Sequence, residues 1–504
     1  MGDIGAVSTV VAVVLVVVAT LAIGTYGLRL SRTTSDFFVA SRTVAPRLNA
    51  SAISGEYLSA ASFLGAAGLV LVFGADMLWY PVGWTAGYLV LLILVAAPLR
   101  RSGAYTLPDF AQARLDSRGV RILCSLLVVA IGWLYLLPQF QGAGLTLRHA
   151  TGAPAWVGSV VVAVVVLVAV GSGGMRSITF VQAFQYWVKL TALLIPAFLL
   201  LIVWVKDGSP QPHDPADLVM WSSPVADGGV RGLYTTYSLI IATFLGTMGL
   251  PHVAVRFYTN PDGRAARRTT LAVLVLLGMF YLLPPLYSAL GRVYADHLVA
   301  TGQESILVLE LPRLMVGGVL GDLLTALVTA GAFAAFLSTS SGLIVAVSGV
   351  LSQDVTTRLS PRIDGVLAFR LAVALSVIVP FAGSLAALDV DVARTVGLAF
   401  AVSASTFAPL LVLGIWWRGL TPAGAATGLI LGGLGSFAAV TWNLFAGEVE
   451  TWGSALLAQP AAWTVPLAAT SMVVVSRLTR RTVPRHADRF MVRLHTPENV
   501  DLQR

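Results

Sequence analysis

The sequence predicts an all-α polytopic membrane protein of about thirteen transmembrane helices, and three observations predict it. Of the 504 residues, 57% are hydrophobic and only 11% charged, where a soluble domain carries roughly 25% charged residues. The apolar residues fall into long runs, and at about 20 residues per crossing the chain has room for a dozen or more helices. Short alternating segments, the mark of membrane β-strands, are missing. The basic residues supply the third observation. With the N-terminus placed outside, the inner loops and the end of the chain hold 25 of the 32 Lys and Arg and the outer loops six, with Lys189 inside a span. That asymmetry predicts an N-terminus outside and a C-terminus in the cytoplasm, in a bacterial plasma membrane. It also accounts for a net charge of +8 and a pI near 9.8 without nucleic acid; membrane lipid is the expected surrounding.

The spans run roughly over 6–27, 48–74, 77–99, 120–147, 154–172, 178–205, 232–257, 269–291, 316–349, 366–388, 391–416, 421–446 and 460–477. Span one has no basic stretch before it and no small-residue cleavage site after it, so it reads as a retained helix. Residues 1–477 read as a single transmembrane domain and 478–504 as a basic cytoplasmic tail serving orientation. Residues 207–212 are a turn-rich external loop, and 293–314 an external, partly amphipathic surface helix or lid. The single cysteine, Cys124, excludes an internal disulfide and a cysteine-based metal site.

Span two is the stretch that should not be apolar and is not. Ser54-Gly55-Glu56-Tyr57-Leu58-Ser59-Ala60-Ala61-Ser62 sets a carboxylate, a phenol, hydroxyls and a glycine where no water can satisfy them. Such groups are tolerated where the helix breaks and lines a cavity. Carbonyls ending the first half-helix can hold a cation, and N–H groups opening the second can hold an anion. Span seven carries a second interruption, Gly246-Thr247-Met248-Gly249-Leu250-Pro251-His252; the bland reading is a packing kink. Spans two and seven open the blocks 2–6 and 7–11, so the two breaks occupy matching positions in opposite orientations, the pattern of an inverted repeat over about 48–205 and 232–416. A secondary transporter is the function this predicts. A channel would want a continuous polar stripe, a membrane enzyme an intramembrane His/Asp/Glu cluster or nucleophile, and a sensor a signalling domain; the sequence has none of these.

Span nine adds Ser338-Thr339-Ser340-Ser341. Hydroxyls often serve close helix packing, but four in a row face all round the helix, and two of them with several carbonyls would suit a hard monovalent cation. Lys189 is costly in mid-span unless paired or neutral. It can snorkel or pair structurally, attract a substrate carboxylate, pair with Glu56, or replace the coupling cation. For a substrate, a small carboxylate suits the N-terminus of the second half-helix near Ser59, Ala60 and Ala61, beside Tyr57. Candidate walls are Gln139 and Gln141, which flank a break at Pro138, with Trp133 and Tyr135 on the same span. Thr243 and Thr247 of span seven and Ser403, Ser405 and Thr406 of span eleven complete them. Trp and Tyr in membrane helices more often anchor at the interface or fill the core. His252 reads as a histidine satisfying the kinked backbone.

Tyr57 to Gly65, Gly246 to His252, and Phe333 to Ser341 leading to Asp354 resemble the sodium:solute symporter family, most closely its bacterial cation/acetate (monocarboxylate) symporters. The resemblance runs from Phe37-Phe38-Val39-Ala40-Ser41-Arg42 to Trp417-Arg418-Gly419-Leu420. It implies a LeuT-type core of ten helices, five plus five inverted, preceded by one helix and followed by two. It implies Na⁺ symport of acetate, propionate or pyruvate, with a proton as the alternative coupling ion, and no organic cofactor or enzymatic activity. Proline, sugar, pantothenate and urea are the alternative solutes. The family's cation site falls on the carbonyls of Gly55, Leu58 and Ala335 and the hydroxyls of Ser338 and Thr339. Where some members hold a second sodium with an aspartate this chain has Gln182, which argues against a second site. Glu56 and Lys189 are the charged residues placed to take part in coupling.

Overall fold

Among the described residues, thirteen crossings follow from helix length once the breaks are counted. The structure is a computed structural model that describes residues 3–28, 40–212, 221–223, 229–353, 365–386, 392–445 and 451–498; Phe37 to Val39 and Asp354 lie outside them. Among the described residues every regular element is helical. Ten helices are long and apolar enough to cross a membrane, and a bent pair, Gly229–Gly249 with Pro251–Phe257, makes eleven. Two are too long for one crossing. Ala61–Arg101 has 41 residues and Ala155–Lys206 has 52, which at 1.5 Å per residue is roughly 60 and 80 Å against a hydrocarbon core of about 30 Å. Each turns at a glycine: Gly74 at φ 73° and Gly174 at φ 58°, ψ −156°, backbone that a β-carbon would strain. Each is therefore two spans.

Span two is helical over Pro46–Tyr57, loses its helix at Leu58 (φ −73°, ψ 89°) and resumes as a π-turn, Ala61–Gly65, followed by Ala66–Phe73. Span seven breaks at Leu250 (φ −61°, ψ 122°), just before Pro251. The solvent pattern is inverted: Leu15, Phe198 and Leu434 are more than 60% exposed, while Lys189, Arg256 and Gln182 are fully buried. Apolar side chains outside and charge inside is what lipid as solvent demands.

The two breaks sit in matching surroundings. A β-carbon on Gly55 would stand 2.1 Å from the carbonyl oxygen of Gln182 on span six, and one on Gly246 would stand 2.5 Å from that of Phe400 on span eleven. Glycine at each position lets the broken helix lie directly on the backbone of the last helix of its own five-span block. The expected inverted repeat is thus present as packing.

The segment between spans eight and nine folds as His297–Ala300, a 3₁₀ turn Glu304–Ile306 and Leu307–Val316. The backbone oxygen of Glu304 lies 2.9 Å from a β-carbon position on Gly68, and Glu310 Oε1 is 2.7 Å from His149 Nε2 at the end of span four. It lies over the second half of span two, as a lid would. The C-terminal helix Ala487–His495 packs back on the bundle: Asp488 pairs with Arg418 at 2.5 Å, and Glu498 accepts the N–H of Gly263 at 2.8 Å.

Candidate functional site

Of the five oxygens expected to hold a cation, those of Gly55, Leu58, Ala335 and Ser338 are linked through Ser338 and Lys189, while the Thr339 hydroxyl turns to Glu56 O. Three helices meet there because each lacks bulk at the contact: Gly55 lies against span six, and span nine presents alanine and serine. The hydroxyl of Ser338 is 2.7 Å from Gly55 O and 3.1 Å from Ala335 O, and Thr339 donates to Glu56 O at 2.6 Å. Lys189 Nζ donates to Leu58 O at 2.7 Å, to Ser338 Oγ at 2.5 Å and to Gly55 O. The breaking of span two frees these carbonyls from the helix ladder; an ammonium from span six takes them up.

Glu56 pairs with Arg256 and not with Lys189. Its Oε2 is 2.5 Å from Arg256 Nε, and Gly342 makes room for it, since a β-carbon there would fall 2.1 Å from the carboxyl carbon. Arg256 also donates to Thr179 Oγ1 at 3.0 Å and to Gln182 Oε1. Gln182 Nε2 donates to Ser338 O at 2.7 Å. Sequence reasoning counts Arg256, at the inner end of span seven, among the orientation charges. The structure buries it on the second half of that span, Pro251–Phe257. The charges of this network are paired and hydrogen-bonded, the condition under which buried charge is tolerable. Gln182 thus serves the arginine and span nine.

The second half-helix of span two opens toward a different set of groups. Gln139 Oε1 accepts the N–H of Ala60 at 3.0 Å, so a side-chain oxygen stands where a carboxylate oxygen would. Ser59 Oγ accepts from Tyr135 OH at 3.3 Å, and Tyr57 OH is 2.6 Å from Thr247 Oγ1. Ala61 starts the π-turn and is buried. Aromatic rings close the surroundings. Tyr57 meets Tyr88 edge-on with centroids 4.9 Å apart, and Phe400 lies about 6 Å from Trp84 and Tyr135. Tyr135 also meets the His252 ring at 5.4 Å. Trp84 Nε1, Tyr88 OH and both nitrogens of His252 are buried with no hydrogen-bond partner among the described residues. Orphaned buried donors of this kind call for a ligand or water.

Three expectations are corrected here. Ser405 does not reach this site: its hydroxyl is 2.6 Å from Thr464 Oγ1 on span thirteen. Ser403, two residues and so about 200° around the helix, is the one that faces span seven, donating to Gly246 O at 2.9 Å. By the same rotation Gln141, though buried, lies on another side of span four from Gln139. His252 satisfies no backbone group. Tyr135, a candidate wall, is buried and contacts Ser59. Thr243 lies one turn before Thr247 and packs its hydroxyl against Gly83 of span three. Sequence reasoning does not reach Trp84, Tyr88 and Phe400; the i, i+4 spacing of Trp84 and Tyr88, which puts both on one face of span three, was the available signal.

A family model described as "Sodium:solute symporter family" matches residues 37–432. An uncharacterized symporter, YwcA, of Bacillus subtilis is 30% identical over 467 residues, covering 89% of this chain and 90% of that protein. A monocarboxylic acid transporter of Corynebacterium glutamicum is 30% identical over 437 residues, covering 80% and 78%. Among solved structures, a substrate-bound, outward-open Na⁺-coupled sialic acid symporter superposes with a TM-score of 0.72 at 14% identity, over 94% of this chain and 97% of that one. At that identity the likeness establishes the fold: a LeuT-type inverted-repeat bundle.

Proposed function

The chain belongs to the sodium:solute symporter family, a family of carriers and not of enzymes, and from that premise we propose that it is a secondary active symporter. It takes up a short-chain monocarboxylate such as acetate, propionate or pyruvate by alternating access, driven by a cation moving inward. The observation that carries the substrate class is the Ala60 N–H held by Gln139 Oε1. The N-terminus of a half-helix attracts a carboxylate through its free N–H groups and dipole, and a carboxylate displacing the amide oxygen would keep the bond. The unpartnered Trp84 and Tyr88 donors offer it further contacts, and the rings of Tyr57, Tyr135 and Phe400 suit a short apolar tail. Ser59, Ala61 and Thr247 frame the same place, with Thr243 one turn before Thr247. The 30% identity to a monocarboxylic acid transporter supports this reading over proline, sugar, pantothenate or urea.

Sodium is the coupling ion the family's name suggests, at Gly55, Leu58, Ala335, Ser338 and Thr339. A second reading, a proton, is favoured by one specific observation: Lys189 Nζ already bonds three of those oxygens. The basic loops favour a plasma-membrane topology with the N-terminus outside and the C-terminus in the cytoplasm.

The test is counterflow in proteoliposomes. Vesicles loaded with unlabelled pyruvate and diluted into labelled pyruvate should take up label, and external acetate or propionate should compete. Competition by proline, glucose, pantothenate or urea, with none by carboxylates, would discard the substrate class and leave the fold intact.

A further inference from the structure

We propose that the bundle holds a binding site for the phosphate of an anionic phospholipid, on the side that carries the C-terminal helix. With the N-terminus outside, that side is the cytoplasmic one. The site is a cavity of about 720 Å³, a size that suits a small-molecule ligand. It lies where span eleven ends, span twelve begins and span thirteen ends. The connection after span eleven lends it Trp417 and Arg418, the end of span thirteen Ser476 and Arg477, and the turn that follows Arg480. Among the described residues no carboxylate lines it.

Charge and hydrogen bonding at this cavity suit an anion. Arg418 turns its fork to Asp488 of the C-terminal helix, its Nε and Nη2 meeting the two carboxylate oxygens at 2.5 and 2.6 Å. The described residues offer Arg477 and Arg480 no carboxylate, so three arginines against one aspartate leave two positive charges over. The floor adds a dipole. Ser476 is fully buried, and its hydroxyl accepts the N–H of Thr421 at 3.1 Å. Thr421 Oγ1 in turn accepts the N–H of Gly424 at 3.1 Å, capping the helix Pro422–Phe445. The positive end of a 24-residue helix therefore lies beneath the cavity. Gly424 allows this approach, since a β-carbon there would stand 2.0 Å from the Ser476 hydroxyl. Every cation in the lining is an arginine, whose planar fork matches phosphate oxygens as a lysine ammonium does not.

The surroundings select a lipid over a free phosphate. Val474 and Leu478 lie four residues apart on one face of span thirteen and are 48% and 80% exposed. Trp416, next to Trp417, is half exposed and donates its indole N–H to Leu94 O at 3.0 Å, the placement of a tryptophan at a membrane interface. A phosphate between Arg477 and Arg480 thus has an apolar track beside it for acyl chains. Basic pockets between membrane helices on the cytoplasmic side are suited to such headgroups. The bound lipid would join the ends of spans eleven and thirteen to the turn that leads into the C-terminal helix.

The test uses the whole carrier, purified in detergent and stripped of lipid, and reads Tm against added lipid. Dioleoyl phosphatidylglycerol, an anionic phosphodiester, should raise Tm saturably, because a ligand of the folded state stabilises it. Dioleoyl phosphatidylcholine at the same concentration should not. Arg477→Gln/Arg480→Gln should raise the half-saturating phosphatidylglycerol concentration by about tenfold or more, the loss of two charge-assisted contacts. Arg481→Gln/Arg485→Gln removes the same charge outside the cavity and should change it by less than about twofold, as for exposed charges. Equal weakening by the two pairs would overturn the site in favour of general attraction to a basic surface. Equal stabilisation by the two lipids would overturn it as well. Saturable stabilisation by inorganic phosphate, with nothing added by phosphatidylglycerol, would refute the lipid. If Arg477→Gln/Arg480→Gln does not fold, native mass spectrometry of the wild type decides. Retention of phosphatidylglycerol where phosphatidylcholine is lost supports the site, and no selective retention refutes it.

Discussion

The two broken helices are built alike and furnished differently. Each rests a glycine on the backbone of the fifth helix of its block, Gly55 on Gln182 and Gly246 on Phe400. Each has a carbonyl that this fifth helix serves with a side chain: Lys189 bonds Gly55 O, and Ser403 bonds Gly246 O at 2.9 Å. The architecture repeats; the chemistry does not. At the first break the fifth helix brings a charge, and spans two and nine contribute oxygens around it. At the second it brings one hydroxyl, and the break is otherwise closed by packing and Pro251. The repeat thus yields two similar backbone junctions that different side chains furnish differently.

Removing the buried charge pair beside the first break is the harshest test of this contrast. Glu56→Ala strands Arg256, and breaking a buried pair from one side costs about 3–5 kcal/mol. A large drop in Tm and folded yield is expected, and partial recovery in Glu56→Ala/Arg256→Met would show that the stranded charge is the cause. Gly55→Ala comes next, since its β-carbon would meet backbone 2.1 Å away and overpacking costs about 1–3 kcal/mol. Uptake should vanish, and Gly246→Ala, with 2.5 Å available, should be milder; the reverse order would break the comparison. Gln139→Leu leaves the Ala60 N–H to the substrate alone. We expect counterflow to persist with its pyruvate KM changed by about tenfold, one charge-assisted hydrogen bond's worth, and an unchanged KM would remove Gln139 from the site.

Ser403→Ala should be nearly silent, because a single neutral hydrogen bond contributes about 1 kcal/mol; a loss as deep as that of Gly55→Ala would break the comparison. The smallest effect lies at the lid. The hydrogen bond from His149 holds the Glu310 carboxyl below its ordinary value near 4.5. A depressed carboxylate stabilises the fold above its unfolded pKa, and that stability is lost as pH falls through the folded value. Glu310→Gln should therefore flatten the acid limb of Tm against pH, by up to about 1 kcal/mol for a half-exposed pair, and leave Tm at pH 3 nearly unchanged.

The fold was legible because its signals are local. Twenty apolar residues in a row, or a glycine and hydroxyls inside them, need no knowledge of the partner, and both breaks lie where the sequence puts them. The oxygens expected to hold a cation came from resemblance of motifs, and three of them, of Gly55, Leu58 and Ser338, meet at Lys189. The partners were not. Lys189 meets Gly55 across 134 positions and Arg256 meets Glu56 across 200, and no periodicity specifies such a pairing. Ser403 and Ser405 look interchangeable in sequence, and only the rotation of span eleven sends one to span seven and the other to span thirteen. The aromatic residues around Ala60 were hidden for another reason: Trp and Tyr are equally at home at the membrane interface.

A cation drawn from solution stays in place only while its concentration exceeds its dissociation constant. Lys189 sits at the end of a four-carbon stem whose root is fixed in span six, so its nitrogen is present at an effective concentration that dilution cannot lower. Occupancy of the three oxygens by that nitrogen is then independent of how salty the surroundings are.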